Sequence, residues 1–446
     1  PLDPRSGVVS TMTPGSTPSE NPSHRGCDTV CRRDPFALLF RLTFWSRIRV
    51  SAVSGTGDPL LILTQGHAGD RLGARLASAL ASRFPGRPLV GLGGPRLAGA
   101  GVTLLARTDG LSAMGYTGLP AVLFPALRAA WLAREGTRRQ SPAVVIAVDF
   151  WQPLAVLHRL APHLLTIPHI CYLPPGPNFV GSSRVHWAAA TRFHTLLTPF
   201  PHQQHLFSAA GGRVLPAAHA GLEIQREEAR PLAWEERRPL LALLPGSREL
   251  EIRYSLPAQA AVARRIRERH PELQPIACCV NTRVEAWVRR SFPDLRPHGN
   301  AREVLAQARL GLICSGTAVL EAAVAGCPGV ATYYASPLQQ WEWNRFHVPK
   351  LRELRSQGIA SPYITLPNIL AGRDVYPEAL GLPAEAVTEL AERQLARDPR
   401  VLRQELDTIR DLLAWNDAGA AVAGAVAAAL GEQASPSAGR PESGHG

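Results

Sequence analysis

With 446 residues, 45% of them apolar and 19% charged, the chain can bury two globular cores and is too balanced for a fibrous or wholly disordered protein. The net charge of +12 calls for anionic partners, but the arginines are scattered and no aromatic-plus-basic repeat is present. Phosphate-bearing small molecules or an anionic membrane surface fit that pattern, and nucleic acid does not. Seven cysteines, an odd number with several inside apolar runs, make no metal-ligand array and suit buried thiols in a reducing compartment.

Residues 1–57 are rich in Pro, Ser, Gly and Arg and lack periodicity, so they are expected outside any packed domain, as a disordered or non-native extension. One island within them, Pro35 to Val50, sets Phe36, Phe40, Phe44 and Trp45 beside Arg41, Arg47 and Arg49. It suits a membrane interface and is too short and too charged to span a bilayer. Leu60 to Leu63 reads as a strand, Thr64 to Asp70 as a loop, and Leu72 to Phe84 as a helix. Further strands follow at Pro88 to Leu92 and at Val144 to Val148, the latter ending on Asp149, so a doubly wound parallel sheet is expected over 58–235. Between them, Leu111 to Arg128 is either a buried helix preceded by a loop or a surface that meets acyl chains. Asp149, at the mouth of such a sheet, either caps the next turn or takes a proton from an attacking hydroxyl. Tyr172 to Asn178 must be an irregular loop, and His219 stands where the first domain ends.

A second α/β domain, 236–380, is expected from Leu240 onward. Its first strand, Leu240 to Leu244, runs into Pro245-Gly246-Ser247-Arg248 and then a helix from about Tyr254 to Arg269. Arg248 after a glycine is placed to fork onto a diphosphate. Further strands are expected near Pro275 to Val280, Gly311 to Cys314 and Gly329 to Tyr333. Ser315-Gly316-Thr317 turns the chain into a helix over Ala318 to Ala325, leaving unpaired N–H groups beside the positive end of the helix dipole. Glu321, one turn on, then faces the ribose side of a nucleotide; the alternative is an ordinary capped junction with Glu321 in solvent. Helices are expected over 381–431 and a loose tail over 432–446.

Three blocks carry a family resemblance: Leu244 to Arg248 with Glu251 close behind, Ser315 to Ala318 with Leu320-Glu321, and Leu366-Pro367-Asn368 through Ala371-Gly372-Arg373. In order and spacing they resemble the signature blocks of lipid-A-disaccharide synthases. The resemblance implies a GT-B glycosyltransferase, two Rossmann-like domains facing across a cleft. It further implies transfer of 2,3-diacylglucosamine from UDP to 2,3-diacylglucosamine 1-phosphate, with no metal or other cofactor. Both partners, a UDP-acylated sugar and a glycolipid acceptor, would place the protein peripherally on the inner, cytoplasmic face of a membrane. Residue by residue, the resemblance implies Asp149 as general base and Asn368 in the block lining the cleft. It implies Arg248, Ser315, Gly316, Thr317 and Glu321 at the donor nucleotide, and Gly66, Asp70, Met114 and His219 on the acceptor side. Departures lie in the first domain. Gly66-His67-Ala68-Gly69-Asp70 is one residue shorter than the family element and lacks its first carboxylate, the loop from Pro174 to Phe179 has no tryptophan, and Pro201 replaces a glutamate. Two other readings therefore stand beside the strict one: a UDP-sugar transferase with a different lipid acceptor, and a nucleotide-binding regulatory protein without transfer.

Overall fold

The computed structural model describes residues 57–108, 111, 119–149, 152–174, 193–229, 231–358, 360–413 and 415–431. The island Pro35 to Val50, Cys27, Cys31, Met114 and the loop over 175–179 lie outside the described residues.

The first sheet is built from β1 (Leu60–Leu63), β2 (Leu89–Gly93), β3 (Thr103–Arg107), β4 (Val144–Val148), β5 (His169–Tyr172), β6 (Thr195–Thr198) and β7 (Val214–Pro216), in the order β3-β2-β1-β4-β5-β6-β7. All its pairings are parallel; Leu61, for example, sits between Val90 and Val145. Such strands are covered by helices on both faces, and accordingly β1 and β4 are apolar and buried at every position. The second sheet contains β8 (Arg238–Leu244), β9 (Gln274–Cys278), β10 (Arg296–His298), β11 (Ala308–Cys314), β12 (Gly329–Tyr333) and β13 (Glu378–Leu380), in the order β10-β9-β8-β11-β12-β13. It too is parallel throughout.

The order reverses at β1/β4 in the first sheet and at β8/β11 in the second. At such a switch point the connections leave to opposite sides and open a crevice beyond the strand C-termini, where α/β proteins bind ligands. Residues just past these four strands are Gly66, Asp149, Arg248 and Ser315, all expected at the site from sequence.

The helix Gly66–Arg83 begins earlier than expected, at the glycine itself. The Gly66-to-Asp70 stretch is its first turns and not a loop. The helices expected together over 381–431 divide between the sheets. Ala384–Leu395 packs on the helix Glu249–Arg269 and on β12, whereas Ala418–Ala429 crosses back to pack on Gly66–Arg83, β5 and β6. Asn416 Nδ2 donates to the Pro216 carbonyl at 3.0 Å and the Ala418 N–H to Glu223 at 2.9 Å, fixing the return. Gly419 makes the approach close: a Cβ there would lie 2.5 Å from the Ala79 Cβ. One apolar core runs from Leu60 and Ile62 through Leu222 to Val319, Leu320 and Val422, so the two lobes share buried surface. Five cysteines, Cys171, Cys278, Cys279, Cys314 and Cys327, are buried free thiols whose pKa values burial raises.

Candidate active site

Asp149 follows the last buried valine of β4 with φ at +49°, a left-handed conformation uncommon for a residue with a side chain. Its backbone is held on both sides. The N–H donates to the Tyr172 carbonyl at 3.0 Å, and its own carbonyl accepts from Gln65 Nε2 at 3.3 Å. Strain held in this way at a strand end marks Asp149 as a candidate functional residue. The residue keeps an open face toward solvent while protein crowds the carboxyl on its other sides. That crowding raises its pKa to about 6, and the Arg248 guanidinium from the opposite lobe pulls the other way. A carboxyl so poised is ionised at neutral pH and basic enough to accept a proton.

Arg248 begins the helix Glu249–Arg269 on the second lobe. Glu251, 7% exposed, organises the turn before it. Its Oε2 accepts from the N–H groups of Ser247 and Arg248, both at 3.2 Å, and its Oε1 accepts from Arg248 Nη1 at 2.5 Å. The carboxylate therefore holds the guanidinium by one edge and leaves the group partly exposed. Gly246, with φ at +114°, is required there, because a Cβ would stand 2.8 Å from Glu251 Oε2. Gln259 Nε2 donates to the Leu244 carbonyl and to Thr332 Oγ1, tying the ends of β8 and β12 together from below.

Beside this turn, β11 ends and the helix Thr317–Val324 begins, with Gly316 as its N-cap and no side chain capping it. Thr317 is exposed and Ser315 half-buried. Uncapped N–H groups at a helix start, next to a guanidinium, form a receptor for a diphosphate. Glu321 lies one turn further on, and here the structure adds residues that sequence did not single out. Arg71, on the helix Gly66–Arg83 of the first lobe, reaches Glu321 Oε1 at 3.2 Å, and buried Arg302 stands 3.8 Å from the same oxygen. Glu321 is thus engaged in this structure by a cation from across the cleft. Nothing in the sequence signalled Arg71, because the helix was expected only from Leu72; with its start at Gly66, Arg71 is a cation in the second turn that opposes the dipole and asks for a partner elsewhere.

Several expected site residues hold backbone in place. Asp70, 2% exposed, accepts from the N–H groups of Gly94 at 2.6 Å and of Arg96 and Leu97 at 3.1 Å, capping the short helix Pro95–Gly99. His219 is buried at the start of the helix Ala220–Glu228, where its Nδ1 accepts from the Gly221 N–H at 3.1 Å. Burial, aided by Arg71, lowers its pKa to about 4, so it stays neutral. Asn368 is fully buried and not on the cleft surface. Its Nδ2 donates to the Tyr376 carbonyl at 2.8 Å, Glu378 Oε1 at 3.1 Å and Asp374 Oδ1 at 3.2 Å. Its Oδ1 accepts from the N–H groups of Val375 and Tyr376, both at 2.9 Å. A side-chain amide so engaged has nothing left for substrate; it staples the helix Leu366–Ala371 to β13. Gly66 stays at the crevice, where its N–H donates to the Thr108 carbonyl at 3.1 Å.

A family model described as Lipid-A-disaccharide synthetase matches residues 60–397. The lipid-A-disaccharide synthase of Idiomarina loihiensis is 29% identical over 377 residues, covering 81% of this chain and 96% of that protein. The enzyme of the same name from Myxococcus xanthus is 32% identical over 343 residues, covering 73% and 84%. Among solved structures, the calicheamicin glycosyltransferase aligns over 84% of this chain and 99% of its own with a TM-score of 0.52 at 15% identity, a likeness of fold. The architecture is GT-B, two Rossmann-like lobes whose switch points face each other. By the match that runs from β1 past the helix Ala384–Leu395, the chain belongs to the lipid-A-disaccharide synthetase family.

Proposed function

We propose that this cleft moves 2,3-diacylglucosamine from UDP to 2,3-diacylglucosamine 1-phosphate and releases UDP, the activity of a lipid-A-disaccharide synthase. The observation that carries the reading is the opposition of Asp149 and Arg248, each at the switch point of its own sheet and close enough for the guanidinium to lower the carboxyl's pKa. The acceptor hydroxyl gives its proton to the Asp149 carboxylate as its oxygen bonds to C1 of the donor sugar. The bond from C1 to the diphosphate breaks, and its electron pair leaves with UDP. Arg248 and the N–H groups of Gly316 and Thr317 receive that charge, and the uncapped helix start and the fork held by Glu251 support assigning it to them rather than to a metal. Glu321, released by Arg71, takes the ribose hydroxyls.

Both substrates are acylated, and we place the protein peripherally on the inner face of the membrane that holds them. Among the described residues no helix is long and apolar enough to cross a bilayer. The test is a transfer assay that follows UDP and lipid product together, with and without acceptor. Equal yields of UDP and disaccharide that require Asp149, together with weaker UDP binding by Arg248→Ala of roughly tenfold or more, are expected. Donor binding without disaccharide, or UDP affinity indifferent to Arg248, overturns the reading.

A further inference from the structure

Past β12 the chain makes a small helical excursion. Pro337–Glu342 is an α-helix, Trp343–His347 a π-helical turn and Val348–Ser356 a second α-helix. Because β8, β11 and β12 run parallel, this excursion leaves the same edge of the sheet as the Arg248 and Ser315 turns, at the rim of the cleft. Its inner side is anchored by a small cluster of Leu351, Leu354 and Ala360. Its outer side carries Leu338 at 58% exposure, Trp341 at 58% and Phe346 at 46%. Leu338 and Trp341 are three residues apart and share a helix face, and the π-turn brings the Phe346 ring edge-on to Trp341 at 5.7 Å. Three large apolar side chains on one short protrusion are not the scattered exposures of an ordinary surface.

The charge around them has one sign. Arg345 lies over the Phe346 ring at 5.4 Å, and Lys350, Arg352 and Arg355 follow on the next helix. Of the two carboxylates in the segment, Glu342 is buried and 3.8 Å from His347, and Glu353 pairs with Lys350 at 2.8 Å. The outward face is aromatic and cationic. Tryptophan and phenylalanine settle at the headgroup level of a bilayer, and arginines beside them meet anionic phosphates. A second copy of the chain fits less well, since a two-fold contact through this face would pool the cations of both copies while Glu353, the segment's exposed carboxylate, is already paired with Lys350.

We propose that the Leu338, Trp341 and Phe346 protrusion docks the second lobe on an anionic lipid surface, holding the donor turn at the level where acylated substrates emerge. The proposal rests on the transferase reading for the identity of those substrates, but the docking is measurable without turnover. The full chain is sedimented with vesicles of phosphatidylglycerol and phosphatidylethanolamine, beside a variant carrying Leu338→Ser, Trp341→Ser and Phe346→Ser. The expected result is a vesicle partition at least about tenfold lower in the variant, with UDP affinity and melting unchanged. A second variant, Arg345→Glu with Arg352→Glu, keeps the apolar tip; it is expected to lose affinity for these vesicles while binding phosphatidylcholine vesicles as the parent does. Unchanged sedimentation of the triple variant overturns the proposal. So does a fall in its oligomeric mass with vesicle binding intact, which would give the face to a second copy. Should the triple variant melt early, undiminished binding by the charge-reversed variant overturns it alone. Absent transfer by the parent protein with vesicle binding lost in the variants refutes the reaction and leaves docking standing. Transfer from detergent micelles with vesicle binding indifferent to both variants does the reverse.

Discussion

Asp149→Asn removes one titratable oxygen and little else. With the carboxyl at about 6, the base is roughly nine-tenths ionised at pH 7 and about one-tenth ionised at pH 5. Wild-type kcat/KM therefore climbs about tenfold per pH unit below 6 and levels above it. The asparagine variant is expected to be slower by roughly 10²- to 10⁴-fold, with the part of the acid limb owed to Asp149 gone. The acceptor's phosphate also titrates near pH ~6, so the informative quantity is the difference between the two profiles, measured by disaccharide formation at substrate levels below KM. Stability runs in the opposite sense. The native carboxyl's pKa is raised above its ordinary 3.8, so the protonated form is favoured by folding; that contribution is complete below about 3.8 and is lost as pH rises through about 6. Asp149→Asn is thus expected to melt higher than the parent at pH ~8 and to match it in strong acid. A wild-type profile flat through pH 6, or a variant within a few-fold of wild-type turnover, would refute the base assignment.

Other outcomes test the scaffolding. Asn368→Ala is expected to cost about 3 kcal/mol or more of stability, read by denaturant unfolding, with turnover per folded molecule little changed; normal stability with lost turnover would return Asn368 to the substrate. Arg71→Ala removes the partly exposed one of Glu321's two cationic partners, a pair worth about 1 kcal/mol, and leaves Arg302 in place, so UDP binding tightens by up to roughly fivefold in calorimetry. Weaker binding would instead make Arg71 a ligand of the donor. Gly419→Val forces the last helix off Ala79 and is expected to cost about 1–3 kcal/mol, part of which Ala79→Gly in the same chain restores.

The two turns at Arg248 and Ser315 were legible in sequence because each is local. A buried strand, a glycine turn and a helix within a few residues define the Ser315 and Arg248 turns, and the physics of helix ends does the rest. The surroundings of several polar residues were not, because their partners are distant in the chain. Asp70 caps a helix that begins 25 residues later, at Pro95, and no spacing rule connects the two. Asn368 was read as lining the cleft from a motif, while its burial depends on the fold of 374–378 around it. Glu321 was placed correctly on its helix, but its partner Arg71 lies 250 residues away on the other lobe. β5 and β6 escaped notice because His-Ile-Cys-Tyr and Thr-Leu-Leu-Thr lack the unbroken aliphatic run that marks the equally short β1. Gly66-to-Asp70 read as a loop because its glycines hide a helix whose first turn is set by the Gly66 φ of +63°.

The crossing of Ala418–Ala429 back to the first lobe has a consequence for how the protein is made. During synthesis the seven strands of the first sheet emerge long before the helix that covers Gly66–Arg83. For as long as the ribosome builds the second lobe, the nascent first lobe keeps an uncovered apolar face and the small-residue groove at Ala79. Only when Ala418–Ala429 has cleared the exit tunnel is the lobe translated first able to close. The lobe begun first therefore closes after the second, and a message truncated just before Ala418 yields a chain whose first lobe is the part left incomplete.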